Sequence, residues 1–187
     1  MNYFSSMAAL LKMDGAVIAD KISIKSMQFY CILNVTILGL IYGISASFFI
    51  DGVLAGQGIE ASGEYSTFKI VFAGVPVAFL MHAGAALFIW VFLRGIGGNA
   101  NFLVSYFYIG IAAVAMWPLA PVVAALQLHM DKADLFFIKG VGLLFSIYGF
   151  AVLYPVIRNI YNLGHLKMAI AASVTFIYIG CFLYLWL

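Results

Sequence analysis

His82 is the residue with the clearest claim to chemistry, because it is the one ionisable side chain near the middle of a long apolar run, Phe68 to Phe92. Titratable groups are costly inside a bilayer and mark functional sites by default. A neutral imidazole there can accept a proton, ligate a metal or haem, or simply hydrogen-bond a neighbouring helix at Asn34, Thr36 or a tyrosine. His129 and His165 fall near opposite ends of their neighbouring runs, so neither shares the depth of His82 and no two-histidine haem site is expected. Pro118 and Pro121 are the second feature. Proline removes a backbone donor and should kink or break its helix near Trp117, which a membrane interior tolerates only where neighbours satisfy the freed carbonyls. His82, Pro118 and Pro121 therefore form the candidate intramembrane polar site.

Patterns that carry catalysis are absent. There is no GxSxG, HExxH, phosphate loop or carboxylate pair, and Asp131 and Asp134, with Lys132 beside them, read as a solvated turn. Gly97 and Gly98 lack the strand and helix that a nucleotide fingerprint requires. A non-enzymatic protein without cofactors or bound metal is expected. No Asp or Glu lies within an apolar run, which counts against ion-coupled transport, whose carriers commonly place a carboxylate in the pathway. A passive pore lined by carbonyls and hydroxyls stays open. It would need a polar stripe, yet His82 is the only clearly polar side chain from Ile70 to Val91, and Ile109 to Leu126 has none.

Arg94, Arg158, His165 and Lys167 cluster in two short turns that should lie on the same side of the membrane. Such a group can hold an anionic lipid head group or an acidic partner. Ordinary positive-inside anchoring accounts for the same residues.

The elements that must position these residues follow from composition. The chain has 187 residues, 66% hydrophobic and 9% charged, against about 25% charged in a soluble domain, and its mean hydropathy is +1.12. An α-helix crosses a bilayer in roughly 20 residues. The expected fold is all-α: an integral membrane bundle of five transmembrane helices, preceded by an amphipathic N-terminal helix. Residues 1–25 form the interfacial segment and 26–187 the membrane domain, with spans near 27–50, 68–92, 102–128, 136–157 and 166–187. The polar stretches Asp51–Ser66 and His129–Asp134 read as loops, and Arg158–His165 as a turn. In the N-terminal segment Phe4, Met7, Leu11, Ile18 and Ile22 recur at near-helical spacing, suiting a helix on the membrane surface or one docked under the bundle. Gly39, Gly43 and Ser47 make a small-residue stripe that lets two helix backbones approach closely, as an internal packing face or a dimer face. Cys31 and Cys181 lie in apolar runs without metal or redox spacing. A formal net charge of +2 is too small to mark a nucleic-acid surface.

Orientation follows from the basic residues. With the N-terminus cytoplasmic, Lys12, Lys21, Lys25, Arg94, Arg158 and Lys167 are inside, while only Lys69, Lys132 and Lys139 are outside. An inside N-terminus and an outside C-terminus are expected.

Several features together resemble the Yip1-domain family, particularly its small prokaryotic members. They are the surface N-terminal segment, five spans, the Arg94-Gly95-Ile96-Gly97-Gly98-Asn99 turn, the proline-bearing third span, and Asn162-Leu163-Gly164-His165-Leu166-Lys167-Met168-Ala169 leading into the last span. Eukaryotic members associate with small GTPases, but this sequence lacks their long polar N-terminal region and Asp-Leu-Tyr-Gly-Pro motif, so that property does not carry over. The resemblance implies architecture and no established catalytic residue, and the compactness of the chain fits a multi-pass protein of the bacterial inner membrane. The expected role is a membrane-embedded scaffold or accessory subunit of a larger membrane complex, in contact with lipids and with other membrane subunits or itself. The alternative is a small passive transporter or channel with its pathway near His82 and Pro118.

Overall fold

The computed structural model describes residues 2–14, 23–56, 67–128 and 132–186. Their elements are all helices, joined by short turns: α1 (Tyr3–Leu11), α2 (Ile24–Gly56), α3 (Thr67–Gly95), α4 (Phe102–Ala112), a 3-10 turn (Ala113–Met116), α5 (Leu119–Leu128), α6 (Lys132–Tyr161) and α7 (His165–Trp186). Within α2, α3 and α6 lie segments long and apolar enough to cross a membrane: Ile24–Ile50, Thr67–Gly95 and Phe136–Tyr161. Phe102–Met116 and Leu119–Gln127 together make a fourth such segment, bent by 77° at the break. The expected loop residues 57–66, His129, Asp131 and residues 15–22 of the N-terminal segment lie outside the described residues.

Several expected boundaries move outward. Helix α2 continues through Asp51 to Gly56 where a loop was expected, and α6 begins at Lys132 inside the second expected loop. Arg158–Tyr161 is the last turn of α6, so only Asn162, Leu163 and Gly164 separate it from α7. Polar residues end the apolar run without ending the hydrogen-bond ladder, which stops only where a residue departs from helical backbone angles.

Those departures have a common geometry. After α3, Gly97 adopts φ 97° and the Gly98 amide donates back to the Leu93 carbonyl at 2.8 Å. After α6, Asn162 adopts φ 52° and the Leu163 amide donates to the Arg158 carbonyl at 3.3 Å. Both are left-handed caps, which Gly and Asn accept at least cost. At the opposite type of boundary, Asn2 and Asn101 cap α1 and α4 by accepting from the amides of Ser5 and Val104 at 2.9 and 2.8 Å, satisfying donors that the first turn leaves free.

The proline break is equally local. Pro118 and Pro121 cannot donate to the carbonyls four residues earlier, those of Val114 and Trp117. The Trp117 amide takes the Val114 carbonyl at 3.4 Å, and the Ala120 amide takes the Trp117 carbonyl at 3.3 Å. Shorter-range bonds thus replace the lost ones and tighten the chain into the 3-10 turn. Ala113, Val114 and Ala115 are buried there, as backbone irregularity at this depth requires.

Helices α2 and α3 meet backbone to backbone. A Cβ at Gly43 would stand 2.8 Å from the Val71 Cα, one at Gly39 2.7 Å from the Val75 Cα, and one at Gly74 would overlap the Gly39 carbonyl oxygen. The Gly39 and Gly43 stripe therefore faces inward against α3, and the buried Ser47 bonds its own helix at Ile44. Gly74→Val should lower thermal stability in detergent by about 1–3 kcal/mol, the usual cost of overpacking, measured by fluorescence-detected melting. Gly84→Ala should leave it unchanged or slightly raised, since a Cβ there meets nothing within 4 Å.

Candidate functional site

Two places collect the residues with chemical potential. The first is a buried polar centre built on α2. Asn34 is fully buried, and its side-chain amide donates to the Ile111 carbonyl at 2.8 Å and to the Met7 sulfur at 3.3 Å. Its side-chain oxygen accepts from the Tyr3 hydroxyl at 2.6 Å. Its backbone carbonyl accepts from the Trp117 indole at 3.1 Å. The Ile111 carbonyl is available because it stands in the last turn of α4, one residue before its end, where the 3-10 turn begins to shorten the bonds. One asparagine thereby joins α1, α2, α4 and the break.

Helix α1 is drawn in by these groups. Ser6, Met7 and Leu10 are buried, the Tyr3 and Tyr30 rings meet edge to face at 5.2 Å, and the Tyr148 hydroxyl donates to the Leu11 carbonyl at 3.0 Å. Asn34 lies ten residues after the start of α2 and Tyr148 thirteen before the end of α6, depths of about 15 and 20 Å at 1.5 Å per residue. Residues Tyr3 and Leu11 of α1 therefore reach groups that lie part-way along α2 and α6. The Tyr3 and Leu11 contacts come from residues 31 and 137 positions away, beyond the reach of local sequence pattern.

His82 sits beside this node. It is 7% exposed, its Nε2 is 3.8 Å from the Cys31 sulfur, and its ring lies 4.4 Å from that of Tyr106. It donates to the Tyr106 backbone carbonyl. Gly110 completes the contact surface: a Cβ there would overlap the Cys31 sulfur and stand 3.1 Å from His82 Nε2. Of the partners considered for His82, which were Asn34, Thr36 or a tyrosine, Asn34 is committed elsewhere and Tyr106 is adjacent through its ring. These contacts come from α2 and α4, ahead of the break; Pro118 is exposed. Among the described residues no three His, Cys, Asp or Glu side chains come together as a metal site.

The second place is the end of the bundle where the two left-handed caps lie side by side. The Tyr161 ring packs on Gly98, where a Cβ would stand 2.6 Å from Cδ1, and the Tyr161 hydroxyl is 2.5 Å from Ser105 Oγ. The Lys167 ammonium lies over Gly97, 2.9 Å from where a Cβ would be. Arg94 holds its own turn through the Gly98 carbonyl at 3.5 Å, and its charge acts on the Tyr161 hydroxyl. Arg94 and Lys167 are thus brought to one surface by the turns that carry them. Arg158 lies one helical turn before Tyr161, and His165 is exposed at the start of α7. Tyr161 and Ser105, which lock these turns together, carried no signal in the sequence beyond being polar residues near helix ends.

No protein-family model matches the chain, and no curated protein or solved structure is significantly similar to it.

Two outcomes test the centre. Asn34→Leu strips partners from the Tyr3 hydroxyl and the Ile111 carbonyl and should cost about 1–3 kcal/mol; hydrogen exchange should rise in residues 3–11 well before it rises in α3. Gly110→Ala should destabilise the chain, and adding Cys31→Ala should recover part of that loss. Coupling between the two substitutions, read by melting in a double-mutant cycle, separates this contact from a general effect of either change.

Proposed function

We propose that the chain is a non-enzymatic, five-span protein of the bacterial inner membrane that acts as a membrane-embedded scaffold or accessory subunit. The observation that carries this reading is the pairing of its central polar groups with one another. Asn34 is bonded to Tyr3, Met7 and Ile111, and His82 is enclosed by Cys31, Tyr106 and Gly110. Polar groups used in this way join helices where lipid offers no hydrophobic drive, and a catalyst or carrier would need some of them turned toward a substrate.

The outer surface supports the same reading. Phe29, Phe48, Phe72, Leu80, Leu87 and Leu144 are exposed along the long helices, offering apolar area to lipid and to other membrane helices. Helix α7, taken as the fifth span, buries Met168 and Ala171 among its described residues, leaving lateral surface for a neighbouring subunit. In this reading the Arg94, Arg158 and Lys167 end is cytoplasmic by the positive-inside rule. The likeness to the Yip1-domain family belongs to the proposal as well, since it implies architecture without a catalytic residue. The transport alternative, with a pathway near His82 and Pro118, is disfavoured by the tight enclosure of His82.

Gentle solubilisation of native membranes, followed by size measurement and mass spectrometry, tests the role. A reproducible stoichiometric partner is expected; recovery always as a lone protomer would overturn the subunit reading. A cysteine placed at the exposed Asn162 should react with an impermeant maleimide only from the cytoplasmic side, and labelling from outside would reverse the orientation.

A further inference from the structure

An apolar groove of about 430 Å³ runs between α3, α6 and α7. Its walls include Ile89 and Leu93 of α3, Leu153 and Ile157 of α6, and Met168 and Phe176 of α7. That volume lies within the range of small-molecule sites, roughly 300–1,000 Å³. The groove exists because α7 leaves α6 at the Asn162 cap and packs sparingly thereafter, so that three helices converge at one end without filling the space between them.

Basic residues border that end. Arg94 directly follows the wall residue Leu93, Arg158 follows Ile157, and Lys167 precedes Met168. All three are thus at the depth where the groove meets the turns. Among the described residues none of them has a carboxylate partner, and the glycine at position 97 admits the Lys167 ammonium close to the α3 cap. Positive-inside anchoring explains cations at this end but not a groove beneath them. A free phosphate would use the cations and leave the groove empty, and an apolar partner helix would use the groove and leave the cations unpaired. An amphiphile with an anionic head and an acyl chain uses both.

We propose that this groove binds one anionic glycerophospholipid. Its phosphate lies beside Arg94, Arg158 and Lys167, and an acyl chain runs between α3, α6 and α7 past Leu93 and Ile157. The site rests on the reading of the chain as membrane-spanning, and it is independent of whether the protein is a scaffold.

The test uses the full chain purified in mild detergent, with native mass spectrometry of bound lipid during titration by phosphatidylglycerol or phosphatidylcholine of matched acyl chains. One phosphatidylglycerol per chain should be retained at a concentration at least tenfold lower than phosphatidylcholine requires. Arg94→Gln combined with Lys167→Gln should abolish that preference, and Ala172→Phe, at an exposed groove-lining position, should abolish retention while keeping every cation. Equal retention of both lipids by the unaltered chain would overturn the proposal, as would a preference that survives Ala172→Phe. The comparison on the unaltered chain decides the matter even where a variant fails to fold. A photo-crosslinker at Ser173, which also lines the groove, should capture lipid in native membranes; consistent capture of a protein helix instead would refute the lipid assignment. Because the lipid titration uses the isolated chain, its failure is distinguishable from failure of the subunit reading, which is judged by what co-purifies from the membrane.

Discussion

The structure depends on how one buried amide is satisfied. Asn34 lies in an apolar helix, and an amide removed from water without partners costs several kcal/mol. Its side chain reaches the Ile111 carbonyl, the Met7 sulfur and the Tyr3 hydroxyl, and its backbone carbonyl receives the Trp117 indole. Each of those partners is itself a group that its own element leaves over. Ile111 precedes the 3-10 turn, Trp117 stands at the proline break, and Tyr3 belongs to a helix far too short to be stable alone in water. The break in the chain and the docking of α1 are therefore two sides of one arrangement, in which deficits on separate elements cancel.

A second constraint holds for helices read as membrane-spanning: lipid offers no hydrophobic drive between them, which leaves packing and hydrogen bonds to hold the bundle together. Gly39, Gly43 and Gly74 let α2 and α3 approach until backbone touches backbone. Gly110 instead lets the side chains of Cys31 and His82 close on the α4 backbone. Where small residues do not meet, helices stand apart, and the groove between α3, α6 and α7 is the result. Close packing at the centre and open packing at α7 divide the molecule into a closed core and an accessible flank.

This division has a functional consequence. Polar groups at the core hold helices together, while Arg94 and Lys167, the sequence neighbours of the groove-lining Leu93 and Met168, stand at the cap-bearing end. The two left-handed caps matter here for more than chain reversal. By placing Tyr161 against Gly98 and Lys167 over Gly97 they align the two turns and, with them, the cations.

Much of this was legible in the residues themselves. Composition and run length determined an all-helical chain with membrane-length apolar segments, because the backbone in hydrocarbon must satisfy its own hydrogen bonds. Pro118 and Pro121 determined the break near Trp117, and Gly97 marked a turn, because proline cannot donate and glycine accepts a positive φ. The small-residue stripe marked a close helix contact without saying whose. What only the tertiary structure decided were pairings between distant positions: Tyr3 with Asn34, Leu11 with Tyr148, His82 with Cys31 and Tyr106, and Lys167 with Gly97. Helix ends also shifted, since α2 runs on through Asp51 and α6 begins at Lys132. The reason is physical: backbone geometry is set by each residue and its near neighbours, whereas the partner of a buried polar group is whichever unsatisfied group the fold brings within about 3 Å.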